Sequence, residues 1–251
     1  MRADTVTIGE VELYYEAHGS GEPLLFLHGF TGCGGDWRFI GDELAARHQV
    51  IAPDLRGHGR STNPSSEFVF SDAAGDILGL LKTLGLARVK AIGISGGGIT
   101  LMHMAMKDAA CIDSMILVSA PPYFPDEARA IMRAVPLEPQ TPADWDQLRQ
   151  RHPRGDEQIA LLMRQARGFA ESGDDVRFTP DVLQRIAAET LIVFGDRDPL
   201  YPVRLAVELH ESIPRSFLWV VPNGRHGPVF GPMAASFLQT ANEFLSGAWR
   251  Q

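Results

Sequence analysis

Residues 89–107 read VKAIGISGGGITLMHMAMK, and this stretch decides the fold. Residues 89–94 form a short apolar run that predicts a buried strand, and residues 97–107 have the pattern of a helix. The junction between them is a Gly-x-Ser-x-Gly motif with Ser95 at its centre. A serine on so sharp a turn has a strained backbone and needs small neighbours on either side. Its hydroxyl then projects from the strand end. The alternative interpretation of the motif is a glycine-rich helix start that only allows close packing.

Short apolar runs recur along the rest of the chain, and helical patterns separate them. Continuous apolar runs are typical of strands that are buried on both faces of a sheet. The predicted strands are residues 11–18, 24–27, 50–52, 89–94, 115–118, 191–194 and 217–221, and the predicted helices are residues 36–47, 72–84, 97–107, 202–213 and 228–245. This alternation predicts an α/β fold with a mainly parallel sheet and helices on both faces.

One segment, residues 121–178, breaks the alternation because it contains no strand pattern. Prolines interrupt it repeatedly, and short amphipathic helices fit between them; Thr141 followed by Pro142 is typical of a helix start. We therefore predict a helical cap of residues 121–178, inserted into an α/β core made of residues 1–120 and 179–251. The alternative is that these helices only pack against the edge of the sheet.

Composition excludes several classes of protein. The chain has 251 residues, of which 45% are hydrophobic and 22% charged, as expected for a globular protein. Its net charge of −8 argues against binding to nucleic acid or anionic lipid. The sequence has neither a zinc-type cluster nor a nucleotide-binding glycine loop, and no signal core or membrane span. We expect a cytoplasmic protein without a metal, cofactor, nucleic-acid or membrane partner, and the oligomeric state stays open.

A nucleophilic serine needs a base, and that base needs an orienting acid. His226 lies in the turn after the strand predicted at residues 217–221, so it can reach Ser95 from the same edge of the sheet. Asp196 and Asp198 both follow the strand predicted at residues 191–194. We favour Asp198, because Pro199 fixes the turn beyond it. The resulting order of serine, aspartate and histidine matches the order known for this nucleophile turn.

A site for a developing oxyanion is predicted beside Ser95. The backbone N–H of Phe30, just after the strand predicted at residues 24–27, could act together with the N–H of Gly96. The ring of His28 is expected to be structural and to tie this loop through backbone hydrogen bonds.

The chain resembles the α/β-hydrolase superfamily. The motifs that carry the resemblance are His28-Gly29-Phe30, Pro53-Asp54-Leu55-Arg56-Gly57-His58-Gly59-Arg60-Ser61, the Ser95 turn, residues 195–198 and residues 224–227. The resemblance implies an eight-stranded sheet, a helical cap after the sixth strand and a Ser-His-Asp triad. Members that dehalogenate or open epoxides carry Asp at the position of Ser95. Carbon–carbon-bond hydrolases tend to carry Asn where Ile94 stands, so this chain looks more like the small capped esterases, lactonases and cofactor-free perhydrolases.

The resemblance and the residues together lead to an expected function. We expect hydrolysis of carboxylic esters of small, mainly apolar substrates through an acyl-enzyme on Ser95. Lactone opening, perhydrolysis and acyl transfer by the same triad remain alternatives. A ligand-sensing receptor with slow turnover is an alternative of another class. The candidate substrate-lining residues are Trp37, Tyr123, Phe124 and Trp145.

Overall fold

The computed structural model describes residues 1–172 and 175–250. Eight strands form one sheet: β1 (Arg2–Ile8), β2 (Val11–Gly19), β3 (Glu22–Leu27), β4 (His48–Pro53), β5 (Val89–Ile94), β6 (Ile112–Val118), β7 (Glu189–Gly195) and β8 (Ser216–Val221). Their order in space is β1-β2-β4-β3-β5-β6-β7-β8. β2 pairs antiparallel with both β1 and β4, and the remaining neighbours are parallel. The predicted α/β-hydrolase fold is confirmed.

The predicted strands omit β1, although the resemblance implied eight strands. No residue of β1 is buried: exposed and half-buried side chains alternate along it. It is an edge strand that pairs only with β2, and the pairs run from Ile8 opposite Val11 to Arg2 opposite Ala17. The apolar signal of such a strand is weak because most of its side chains face water, so the alternation of residues 1–8 was not enough to identify it.

Helices cover both faces of the sheet. Alternate residues of each buried strand point to opposite faces, and their apolar side chains pack against the helices on each side. On β3, Leu25 and Leu27 belong to one core and Leu24 and Phe26 to the other. The helices are α1 (Arg38–Leu44), α2 (Phe70–Thr83), α3 (Gly96–Lys107), α4 (Asp126–Arg133), α5 (Pro142–Arg151), α6 (Asp156–Gly168), α7 (Pro180–Leu183), α8 (Val203–Ser212) and α9 (Ala234–Leu245). The two faces therefore explain why the strand runs are apolar throughout.

The chain between β6 and β7 carries α4 to α7. Thr141 begins α5 as predicted: its side chain accepts a hydrogen bond from the backbone N–H of Asp144, and Pro142 is the first helical residue. α5 has no buried residue, whereas α4 and α6 bury residues such as Met132 and Leu162. Among residues 1–172 and 175–250, no helix is both long enough and apolar enough to cross a membrane.

Candidate active site

Ser95 occupies a strained turn between β5 and α3. Its φ is 51° and its ψ is −117°, a conformation that costs a residue with a side chain about 1–3 kcal/mol. The Ser95 N–H donates to the carbonyl of Val118 at 2.8 Å, and the Ser95 carbonyl accepts from the N–H of Ile99 at 3.0 Å. These two hydrogen bonds hold the strained backbone from the neighbouring strand and from the helix.

The small residues around Ser95 are required by close backbone contacts. A Cβ added to Gly97 would lie 2.3 Å from the carbonyl oxygen of Leu27, and one added to Gly93 would lie 2.7 Å from the backbone of Gly97. Real side chains do not tolerate such distances, so only glycine lets α3 begin this close to β3 and β5. The geometry agrees with the turn predicted from the motif.

His226 and Asp198 meet at the ends of β8 and β7. The distance from His226 Nδ1 to Asp198 Oδ2 is 2.8 Å. The Asp198 side chain is fully buried, and its Oδ1 accepts hydrogen bonds from the backbone N–H groups of Leu200 at 2.8 Å and Tyr201 at 3.1 Å. Asp196 is exposed. The structure therefore brings Asp198, rather than Asp196, to the predicted base.

The surroundings of Asp198 keep its carboxyl ionised. Burial by itself would raise the pKa of Asp198, but the hydrogen bond and charge of His226, together with the two backbone donors, lower this pKa below its ordinary value. A carboxylate held by three donors cannot rotate freely. It can therefore fix one orientation and one tautomer of the His226 ring.

The backbones of Phe30 and Gly96 lie next to each other beside Ser95. Gly96 is the first residue of α3, so its N–H has no acceptor within its own helix. A Cβ on Gly96 would lie 3.3 Å from the nitrogen of Phe30, and one on Gly29 would lie 3.5 Å from the Cβ of Ser95. The two predicted oxyanion donors and the Ser95 side chain are thus neighbours.

Two cavities meet at Ser95 and His226, which line both. The first, here called the polar cavity because it is the more polar of the two, has a volume of about 660 Å³. Apolar side chains such as Trp37 and Phe230 line it together with polar ones that include Asp36, Gln140, Asp144, Gln147 and Arg151. The second, here called the apolar cavity, has a volume of about 360 Å³ and is lined mainly by Phe70, Phe124, Ile131, Met132, Ala166 and Phe169. Side chains from α4, α5 and α6 contribute to these walls.

Two of the four predicted substrate-lining residues lie elsewhere. Trp37 lines the polar cavity and Phe124 the apolar cavity. Tyr123 lines neither, because it points toward α8, where its hydroxyl donates to Glu208 at 3.1 Å. Trp145 also lines neither: it lies on the solvent-exposed helix α5, with the guanidinium of Arg149 5.0 Å from its ring centroid. An aromatic residue in the predicted cap does not necessarily line the site. α5 buries none of its residues, and Tyr123 is turned toward α8.

Tyr201 and His152 were missed by the sequence analysis. The Tyr201 ring packs edge-on against His226 with 5.4 Å between centroids, and burial raises the pKa of its phenol, which therefore stays protonated. Its position inside the turn that holds Asp198 was the available signal. His152 hydrogen-bonds with Gly59 and Thr31, which precede it in the chain by 93 and 121 positions, so no local pattern could reveal it.

Comparison with known proteins assigns the family. The family described as alpha/beta hydrolase fold matches residues 22–150. Human serine hydrolase BPHL is 28% identical over 254 residues, which cover 93% of this chain and 85% of that protein. A solved thermophilic esterase from Thermogutta terrifontis is 26% identical with a TM-score of 0.76, and 98% of each chain is covered. A meta-cleavage product hydrolase from Pseudomonas fluorescens, 22% identical with a TM-score of 0.77 over 98% of each chain, shares the fold. The chain belongs to the α/β hydrolase family, and its relatives support hydrolase activity.

Buried histidines next to the site predict a loss of stability in acid. Burial lowers the pKa of His28 and of His152 to about 4, whereas the unfolded chain takes up these protons at about pH 6.5. Between these two pH values the unfolded state binds more protons than the folded state. The stabilisation that each neutral histidine gives to the folded state is therefore complete above the unfolded pKa and is lost as the pH falls toward the folded pKa. Each histidine contributes about 3 kcal/mol over the whole window.

Urea unfolding at about pH 7 and about pH 4.5 measures this effect. The free energy of unfolding of the wild-type protein is expected to fall at the lower pH. His152→Gln cannot titrate, so its loss should be smaller by about 2 kcal/mol over the same interval. Equal losses in the two proteins would show that His152 is not held neutral by the fold.

Proposed function

We propose that the protein is a serine hydrolase that cleaves carboxylic esters through an acyl-enzyme on Ser95. The observation that carries this proposal is the pair formed by buried Asp198 and half-buried His226, joined at 2.8 Å, at the cavities that Ser95 also lines. A serine hydroxyl is a weak nucleophile and gains reactivity from a base that a third group holds in place. In this proposal Ser95 is the nucleophile, His226 the base and Asp198 the orienting acid.

Acylation uses the tautomer that Asp198 selects. Because the Nδ1–H of His226 donates to Asp198, Nε2 is the nitrogen that takes the Ser95 proton as Oγ attacks the acyl carbon. The carbonyl oxygen becomes an oxyanion, which accepts hydrogen bonds from the N–H groups of Phe30 and Gly96. Each such donor contributes about 3 kcal/mol to stabilising the transition state. His226 then gives its proton to the leaving alcohol.

Deacylation repeats these steps with water. His226 takes a proton from the water molecule, whose oxygen attacks the acyl carbon, and the same two N–H groups hold the second oxyanion. The bond between the acyl carbon and Ser95 Oγ then breaks, Oγ regains a proton from His226, and the acid leaves.

The two cavities suggest how the substrate is divided. Gly96 lines the apolar cavity, so an acyl carbonyl bound to its N–H directs the acyl chain among the aromatic and aliphatic side chains there. The leaving alcohol then occupies the polar cavity, where glutamine and charged side chains line the wall. Burying an acyl chain stabilises the complex by about 0.8 kcal/mol per methylene. The proposed substrate is therefore an ester with a neutral, apolar acyl group.

Residues 121–178 act as a cap in this proposal. Ile131 and Met132 of α4 and Ala166 of α6 line the apolar cavity together with Phe70 of the core. A helical segment in this position sets the length and shape of the acyl chain that fits, while the core supplies the reactive groups.

A panel of p-nitrophenyl esters tests the proposed function. We expect rapid, repeated turnover, with butanoyl and octanoyl esters hydrolysed faster than the acetyl ester and much faster than the charged hemisuccinate. Absence of turnover with every ester would overturn the proposal. A single burst without further turnover would favour a sensor, and activity confined to lactones, hydrogen peroxide or acyl acceptors would identify the reaction as one of the alternatives that the same residues can perform.

Narrowing the apolar cavity is expected to change acyl-chain preference. In Ala166→Phe the added ring occupies space beside Ser95, so the octanoyl ester should lose about ten- to a hundredfold in kcat/KM while the acetyl ester changes little. Ala143→Phe on the exposed helix α5 is the matched control, because residue 143 lines neither cavity. Equal losses for both esters in Ala166→Phe would place the acyl chain elsewhere.

A further inference from the structure

His152 is a fully buried histidine at the end of α5, remote in sequence from the other residues of the site. Its Nδ1 accepts a hydrogen bond from the backbone N–H of Gly59 at 3.0 Å, so its Nε2 carries the proton and donates to the carbonyl of Thr31 at 3.0 Å. These partners define one neutral tautomer. A second proton on the ring would face the Gly59 N–H and break that contact.

His28 makes the same kind of bridge on the other side of Phe30. The Nε2 of His28 accepts from the N–H of Leu55 at 2.9 Å, and its Nδ1 donates to the carbonyl of Gly29 at 2.8 Å. The residues immediately before and after Phe30 are therefore both held by imidazole rings. Each ring ties the Phe30 loop to the segment that contains Leu55 and Gly59.

That segment is a rigid support. Gly59 has a φ of +52°, and a Cβ there would lie 2.0 Å from the carboxylate of Asp54, so the backbone is packed directly onto this side chain. The Asp54 carboxylate also accepts from the N–H groups of Gly34 at 2.7 Å and Arg60 at 2.8 Å. This close packing and these hydrogen bonds fix the backbone of the support.

The Phe30 loop, in contrast, needs support. Thr31 has a φ of +64°, which is unfavourable for a threonine, and it belongs to neither a helix nor a strand. A strained residue keeps such a conformation only when its surroundings hold it. The hydrogen bond from His152 to the Thr31 carbonyl is one of those restraints. It comes from residues 121–178, here called the helical segment, rather than from the core.

We propose that His152 is a positioning residue that aligns the backbone N–H of Phe30 for the oxyanion, and so links the seating of the helical segment to catalysis. This inference rests on the proposed function, because it assigns Phe30 the role of oxyanion donor. When α5 is seated, His152 holds Thr31 and the Phe30 N–H points into the site. When α5 lifts away, Thr31 loses this donor and the oxyanion site loses its alignment.

A second contact from the same segment offers a control. The Nε2 of Gln158 donates to the carbonyls of Gly57 at 2.8 Å and Gly59 at 2.9 Å, so it also attaches the helical segment to the rigid support. It does not hydrogen-bond to the Phe30 loop, and it lines neither cavity. Gln158→Leu therefore removes one attachment of the segment but keeps both hydrogen bonds of His152, so α5 should stay in place and Thr31 should stay restrained.

The test compares His152→Phe, His152→Gln and Gln158→Leu by steady-state kinetics with p-nitrophenyl butanoate. His152→Phe keeps a ring of similar size but loses both hydrogen bonds, and we expect kcat to fall about ten- to a hundredfold with little change in KM. His152→Gln can accept from Gly59 and donate to Thr31, so it should restore kcat to within about fivefold of the wild type. Gln158→Leu should lower the melting temperature but leave kcat within about threefold.

Hydrogen exchange of the peptide containing residues 29–32 provides a readout that does not depend on activity. Exchange there should accelerate in His152→Phe and stay near the wild-type rate in His152→Gln. If His152→Phe does not fold, His152→Asn replaces it, because its shorter amide cannot reach both Gly59 and Thr31 and should show the same losses.

Three outcomes would overturn the proposal: an unchanged kcat in a folded His152→Phe, an equal loss of kcat in Gln158→Leu, or unchanged exchange at residues 29–32. If the wild-type protein hydrolyses no ester, the proposed function fails. The exchange measurement then still decides whether His152 restrains the Phe30 loop.

Discussion

Replacing Ser95 by alanine is expected to abolish ester hydrolysis, with a loss of about five to six orders of magnitude in kcat. The substitution removes only Oγ, the atom that would bond to the acyl carbon. It leaves the Cβ and the backbone hydrogen bonds to Val118 and Ile99 in place, so the strained turn is retained. The free energy of unfolding should therefore change by no more than about 1 kcal/mol.

Ser114→Ala is the matched control for this experiment. Ser114 is a buried serine near the start of β6, at the end of this central strand away from the candidate site. Its replacement should leave kcat unchanged. A Ser95→Ala protein that hydrolyses every substrate at the wild-type rate would rule out Ser95 as the nucleophile.

Asp198→Asn is expected to lose about four orders of magnitude in turnover without unfolding. The amide can present its NH₂ group to His226, which then favours the wrong tautomer and leaves the imidazolium without a compensating charge. The buried position of the side chain and its contact at 2.8 Å with Nδ1 make this loss large.

Asp196→Asn provides the comparison within the same turn. Asp196 is exposed and two residues away, so its replacement should change turnover by no more than about threefold. Steady-state kinetics of the two variants at the same pH decide between the two carboxylates. A larger loss in Asp196→Asn than in Asp198→Asn would transfer the role of the acid to Asp196.

Much of the site followed from the sequence, because parallel strands end at a common edge. Ser95 follows β5, Asp198 follows β7 and His226 follows β8, and those three strand ends could be located from apolar runs alone. The same logic placed Phe30 after β3. The preference for Asp198 came from the proline beyond it, and the structure joins that residue to His226.

The features that were missed depend on exposure and on the packing between elements. β1 has no buried residue to mark it. Trp145 was expected to line the substrate site from its place in the helical segment, but the side chain lies against Arg149 on the exposed helix α5. His152 reaches Thr31 across 121 residues, and its role in the site depends on how the helical segment packs on the core. Helix and strand patterns do not contain that information.

Labelling with an alkyl p-nitrophenyl phosphonate tests the role of Ser95 most directly. The reagent transfers phosphorus to an activated serine, and mass spectrometry of the digested protein locates the adduct. We predict one adduct per chain, on the peptide that contains Ser95, formed rapidly in the wild type, slowly in Asp198→Asn and not at all in Ser95→Ala. Loss of activity with the adduct on another residue, or full activity in a protein labelled at Ser95, would contradict the assignment.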